Sequence, residues 1–573
     1  MKKIIGISLI ATLALSSLQA VSNEELAEQL NDLTTQVKKL KKKVKRQTKK
    51  INKVRAHDAG DNIKWNVDFR TSIDNITYKM ADGSEQGKND LMSNRLWLNM
   101  AYSPDNTNVF KAQLSYNKAY GADFKQTPNS SLNPFGVRGT GLDTFDWVTQ
   151  EALTDGSLKV RQAYWLYLGE DMGESIDIPW TMSLGRRPST GGFLANLRND
   201  DPAQSPLGHI INVEFDGLSS KLDLSNVTGI SGMSFKICAG QGSTNAVPRM
   251  GNLAGTDYAN DDANLEDTQL GGFIFEPYND GQYIIKTTGF KAFNMPGFDG
   301  AGFYDAFNGN TASFTTVGNM LGGAVSVLID GLTEDGFLAD VKLFGSYAVS
   351  KTDPDAGKQM LGIDMEGLGH VTGAKFDESK TGYSLYAGAQ LPITEEGIFG
   401  IEYNHGSKYW RPYTYAEDTF AGSKLAARGD AFEGYFTYQI NSSLSAQLRY
   451  TNIDYKYTGS NGFFASAGTP FEISDIQAGD KAFKSRGLTD ADMASLKEAF
   501  GVFEQTGNPQ EAGAKLTQKT AEAIGAINGG QPKNAQEFQA AGTKLSIEAL
   551  KSSFASQVVE KAEDIRFYIR YRF

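Results

Sequence analysis

The chain has 573 residues and a net charge of −11, and its 24 Tyr, 33 Phe, 6 Trp and 61 Gly sit in a sequence of mean hydropathy −0.37. Many aromatics and glycines at modest hydropathy suit short alternating strands joined by polar turns, and a soluble all-β secreted protein would share them. A helical membrane protein is excluded, because no apolar run of about 18 residues follows the first twenty, and the single cysteine, Cys238, excludes an intrachain disulfide framework.

The N-terminus has the form of an export signal. Lys2 and Lys3 precede an apolar stretch from Ile4 to Leu15, and small residues lead to an expected cleavage after Ala20. Val21 follows, so lipid anchoring through a cysteine is not expected. Residues 21–55 carry eleven Lys/Arg against four Asp/Glu, which leaves the remainder strongly acidic. Within that basic stretch Leu26, Leu30, Leu33, Val37, Leu40, Val44, Gln47, Ile51 and Val54 recur at spacings of four and three. This heptad seam predicts a self-associating α-helical coiled coil. Its core residues favour a parallel dimer in isolation, whereas a trimeric barrel fused to it would impose three chains. A single amphipathic helix lying on a membrane or on the barrel is the alternative.

The period then changes from 3.5 to 2. Ile63, Trp65, Val67 and Phe69 alternate with Lys64, Asn66, Asp68 and Arg70. Leu96, Leu98 and Met100 alternate with Arg95, Trp97 and Asn99, and Phe110, Leu114 and Tyr116 with Lys111, Gln113, Ser115 and Asn117. Val341 to Tyr347 and Leu444 to Thr451 repeat the pattern. Further strand candidates lie near 158–168, 179–186, 209–217, 232–239, 270–277, 282–290, 322–330, 382–391, 398–404 and 431–440. The expectation is an all-β, transmembrane antiparallel β-barrel of about 16 strands (14–18), occupying residues 56–573. If the stalk is periplasmic, first and last strands run oppositely and the strand number is even. Residues 456–560 interrupt the pattern with Ala/Glu/Lys-rich segments, Leu488–Phe500, Glu511–Ile524 and Asn534–Ala562, read as helical. Thr489 with Asp492 marks a helix start. This helical insertion before the last strand is expected to be an external cap or an inward-folded plug.

The chain ends in an alternating strand, Ile565, Phe567, Ile569, Tyr571 and Phe573 against Arg566, Tyr568, Arg570 and Arg572. A terminal aromatic on such a strand resembles the mark by which outer-membrane barrels are recognised by their assembly machinery. Signal, Lys-rich heptad segment, barrel onset at Trp65–Arg70 and the RFYIRYRF ending together resemble an uncharacterised porin-like family of Campylobacter-related bacteria. The resemblance implies an outer-membrane channel and carries no substrate.

No HExxH, Cys/His ligand spacing, G-x-S-x-G elbow, P-loop or CxxCH occurs, so no enzyme, cofactor or metal centre is expected. The acidic runs Asn260–Asp267 and Asp353–Asp355 are read as solvated surface. Lys64, Arg70, Arg95, Arg161, Arg186, Arg449, Arg566, Arg570 and Arg572 are the candidate pore-lining residues, since charges lining a pore set its ion preference. They could equally pair with inward acids such as Asp68. The function expected is a porin passing small hydrophilic solutes or ions from an outer-membrane, oligomeric barrel. The alternative is a tether or adhesin whose closed barrel anchors it while the basic stalk contacts peptidoglycan.

Overall fold

The computed structural model describes residues 63–120, 158–170, 177–187, 191–213, 215–246, 261–298, 314–333, 335–360, 377–414, 419–460 and 469–573. The export signal and the heptad residues Leu26 to Val54 lie outside the described residues. By its contacts the chain divides into Met1–Ile63 with Tyr102–Asn106, and Lys64–Ala101 with Thr107–Phe573.

The second unit is a closed antiparallel β-barrel. Its strands are β1 Lys64–Met80, β2 Glu85–Tyr102, β3 Asn108–Ala119, β4 Lys159–Gly169, β5 Trp180–Arg187, β8 Phe215–Asp223, β9 Ser234–Ser243 and β10 Thr268–Asn279. They continue with β11 Tyr283–Phe298, β12 Phe314–Asp330, β13 Lys342–Pro354, β14 Thr381–Pro392, β15 Gly397–Gly406, β16 Gly429–Gln439, β17 Leu444–Tyr455 and β18 Val559–Arg572. These sixteen pair in chain order, and β18 closes on β1. Two short strands, β6 Gly192–Phe193 and β7 Gln204–Leu207, form a separate parallel pair.

Alternation decides which face meets which medium. On β1, Asp68, Arg70, Ser72 and Asp74 are buried inward while Trp65 and Phe69 are exposed outward. On β18, Asp564, Arg566, Tyr568 and Arg570 point in, and Ile565, Phe567, Ile569 and Tyr571 point out. Leu184, Ile237, Leu385, Phe432 and Leu448 extend the outer apolar band. Each large apolar side chain left in water forgoes on the order of 1 kcal/mol or more. An exterior so built suits a bilayer, and the inverted polarity distinguishes it from a soluble barrel. Outward Tyr403 and Tyr450 donate to Asp430 (2.6 Å) and Glu563 (2.7 Å), keeping their rings in the apolar band and their hydroxyls on polar partners.

Glycines seat inward rings of neighbouring strands. A Cβ on Gly400 would lie 2.1 Å from Cζ of Tyr435, and one on Gly388 would lie 2.3 Å from Cζ of Phe344. Only the missing side chain admits the ring there.

Lys64 and Phe573 lie at the same barrel end, where the connections 280–282, 393–396 and 440–443 are short. The opposite end bears 188–214, 407–428 and 456–558, with 81–84 as a short exception. The strand candidate 209–217 is corrected: β8 starts at Phe215, and 209–213 belong to a segment folded into the barrel. Helix does not reach Ala562 either, since Val559 already begins β18 and Ala562 pairs with Tyr78.

The insertion is helical, with α1 Ile473–Arg486, α2 Asp490–Thr506, α3 Gln518–Asn528 and α4 Ala535–Ala555. Thr489 and Asp492 form a reciprocal capping box at α2. Leu496, Ala499, Ile524, Phe538, Ala541 and Leu545 give this bundle its own core. It meets the barrel through a second cluster, in which Ile473, Ile476, Phe554 and Val558 pack with Ile76, Ala81, Ile453, Tyr455 and the inward residues Phe420 and Ala427, and through Asp82, whose backbone N–H donates to the Ala555 carbonyl (3.1 Å). Those barrel residues lie at the long-loop end, so the bundle sits at that mouth and the lumen is filled by other segments.

The barrel lumen as candidate functional site

Two segments fold inward: residues 191–213, and the described parts 407–414 and 419–428 of the connection between β15 and β16. Leu194, Leu207, His209, Ile210, Thr419, Ser423, Leu425 and Ala427 are fully buried, although all lie between strands of the barrel wall. The first runs almost the length of the lumen. Its tip, the 3-10 turn Leu197–Asn199, reaches the short-turn end, where Gln390 donates to the Leu197 carbonyl (2.9 Å) and Gln447 to that of Arg198 (2.8 Å). Asp200 at the tip adopts a left-handed conformation (φ 52°). The second segment returns alongside, with Ile211 bridging to Tyr413 and the Trp410 indole donating to the Leu425 carbonyl (2.8 Å).

Buried charge holds both segments. Glu402 on β15 and Glu433 on β16 face each other directly in register, both inward and sealed from solvent. Two adjacent carboxylates repel in a medium of low dielectric, so each needs a cation. Lys424 of the second segment bonds both, and Arg198 of the first reaches Glu433 at 3.2 Å. Thr451 donates to Glu433 (2.8 Å), Tyr386 donates to Glu402 (2.6 Å), and Arg449 stands 3.9 Å from Glu433. The wall supplies the anions and the inserted segments supply most of the cations. At the tip, Arg570 clamps Asp68 through Nε (2.8 Å) and Asp201 through Nη2 (2.5 Å), while Arg572 bonds Asp200 at 3.0 Å. Midway, the His209 imidazole bonds Ser346 and Ser384, each at 2.8 Å, and burial pushes it down to about 3, so it stays neutral.

The nine candidate lining residues thus divide. Arg449, Arg566 and Arg570 are buried inward, Arg566 on Asp74 and over the Phe420 ring (4.2 Å). Arg70 lies over Tyr568, and Arg95 bonds Asp68 at 3.4 Å. Arg95 and Arg161 both stand over the inward Trp97 ring, at 3.6 and 4.6 Å. Arg572 is part-exposed at the short-turn end, and Lys64 is exposed where the barrel begins. Arg186 departs from the expectation. It lies opposite Asp216 in the row of outward Leu184, and contacts it at 3.6 Å. Pairing with inward acids, the alternative role for these residues, is what Arg95, Arg449, Arg566 and Arg570 do. Arg198, Glu402, Lys424 and Glu433 were not singled out from sequence. The acids carried the same alternation signal as the arginines, while Arg198 and Lys424 sit in segments without periodicity. Among the described residues no group of three or more His, Cys, Asp or Glu could hold a metal ion. Cys238 on β9 packs half-buried against the luminal apolar cluster.

The family described as "Protein of unknown function (DUF3373)" matches residues 85–496. The chain belongs to this family. The matched region contains both inward segments and ends within α2, so the ion-pair cluster around Glu433 lies inside the DUF3373 region. No curated protein matches the chain. Among solved structures it is similar to a Salmonella typhi OmpF complex with daunomycin (10% identity, 90% of this chain and 99% of that one, TM-score 0.39). It is also similar to an anion-selective porin from Comamonas acidovorans (8%, 89% and 99%, TM-score 0.42) and to Pseudomonas putida OprB (9%, 91% and 96%, TM-score 0.42).

Proposed function

We propose that the protein is an outer-membrane channel through which small hydrophilic solutes or ions diffuse. The observation that carries this reading is the charged, hydrogen-bonded interior enclosed by an apolar exterior. Both chain ends of the barrel lie on the short-turn side, which in this reading faces the periplasm and receives the basic stalk. The stalk residues Leu26 to Val54 would join barrels into a homo-oligomer, a trimer by preference, and the C-terminal strand would engage the barrel assembly machinery. The test is single-channel conductance of the full-length protein in a planar bilayer. Steady steps, grouped in threes for a trimer, are expected, and silence from correctly folded protein would refute free diffusion.

A second reading is supported by the inward segments. The sealed cluster of Arg198, Lys424, Glu402 and Glu433 favours a closed barrel, which would make the protein a tether with its stalk on peptidoglycan. Cell-wall binding by residues 21–55 without conductance would select that reading.

A further inference from the structure

Most buried cations in the lumen face a carboxylate, but Arg411 does not. It lies on the second inward segment just inside the long-loop mouth, where its backbone N–H donates to Ser350 Oγ (3.1 Å) at the far end of β13. The residue is 8% exposed; among the described residues its guanidinium forms no ion pair, and Nη1 is buried with no hydrogen-bond partner. Burial lowers its pKa to about 10. A second guanidinium, Arg428, stands close enough to repel it. Arg428 is fixed by the carbonyls of Trp410 (2.9 Å) and Thr458 (3.0 Å), and burial with the charge of Arg411 brings it down to about 9. Both groups therefore remain charged at neutral pH.

Burying one uncompensated cation costs several kcal/mol, and a second like charge beside it adds to that. Elsewhere in the same lumen the fold answers the problem with an acid: Glu433 for Arg198 and Lys424, Asp74 for Arg566, Asp68 for Arg570. A planar guanidinium is also the side chain best shaped for two-pronged binding of an oxyanion.

We propose that Arg411, supported by the charge of Arg428, is a binding site for a small oxyanion of the phosphate, sulfate or carboxylate class, held just inside the long-loop mouth. Its consequence for transport rests on the channel reading above, since an anion there would sit beside any path into the lumen. Its existence does not.

The test uses full-length protein in detergent, titrated calorimetrically with inorganic phosphate, sulfate and acetate at fixed ionic strength. At least one should bind saturably and raise Tm by mass action. Arg411→Gln should weaken that binding by about tenfold or more, the loss of one charge-assisted interaction. No saturable binding by the wild type, or equal binding by the variant, would overturn the site. If Arg411→Gln fails to fold, wild-type crystals soaked in selenate decide instead: anomalous density against Arg411 supports the proposal, and its absence there refutes it. Conductance without oxyanion binding would remove this site and leave the channel. Binding without conductance would do the reverse.

Discussion

Segments 191–213 and 407–428 enter the barrel from the same end at which α1 to α4 sit, yet the two insertions are held by different forces. The inward segments bring Arg198 and Lys424 to carboxylates on the wall, and their stability depends on charges that the barrel itself leaves unpaired. The helical bundle brings its own apolar core around Leu496, Phe538 and Leu545, and meets the barrel through the patch around Ile453 and Ile476 and through Asp82. An insertion tied by buried charge cannot leave without stranding its partners. One with a private core can loosen while the wall stays intact.

The largest effect that separates the two belongs to Glu433. Glu433→Ala leaves Arg198 and Lys424 without one buried counter-charge, and removing one member of such a group typically costs about 3–5 kcal/mol. The inward segments should become protease-sensitive and conductance should rise. Unchanged conductance and protection would break the contrast. Next comes Leu545→Ala, a fully buried position in α4. It should lower bundle stability by about 2–5 kcal/mol, seen as cleavage within 473–555 while unboiled protein still migrates as a folded barrel. Concerted unfolding of bundle and barrel would show that the bundle's core is not private.

Thr489→Ala removes the α2 cap and should cost about 1 kcal/mol, read from hydrogen exchange in α2 with the barrel strands unaffected. The smallest effect concerns pH. The Thr517 hydroxyl, followed by the Thr489 N–H and hydroxyl, holds the Asp492 carboxyl down to about 2 from 3.8. A depressed acid stabilises fully above its unfolded value and loses that contribution as pH falls towards 2. The bundle should therefore loosen between about pH 4 and 2, and Asp492→Asn should flatten that dependence. A wild-type bundle indifferent to pH over that window would contradict the assignment.

Much of this was legible in the residue order. Period-2 alternation located strands near all sixteen observed positions, because a wall between lipid and a polar interior must show one face to each medium along every strand. It erred where that condition lapses. His209 to Val213 is apolar and strand-like, but it is buried among other luminal residues with no lipid on either side, so composition could not distinguish it from wall. The helix start at Thr489 was readable because capping is local. Arg186 was misplaced because its charge suggested a luminal position, whereas plain alternation from outward Leu184 keeps it on the outer face opposite Asp216.

The inward and outward faces of β1, β17 and β18 and the helical character of the last insertion are written in the residue order, because each follows from local periodicity, whereas the closure of β18 on β1 joins the two ends of the barrel chain. Tertiary structure alone decided that 191–213 and 407–428 fill the lumen while the helices remain at its mouth. The pairing of Glu433 with Arg198 spans 235 residues and that of Arg570 with Asp68 spans 502. No local pattern encodes such a partner, because the stabilisation exists only once the closed wall has brought both charges out of water.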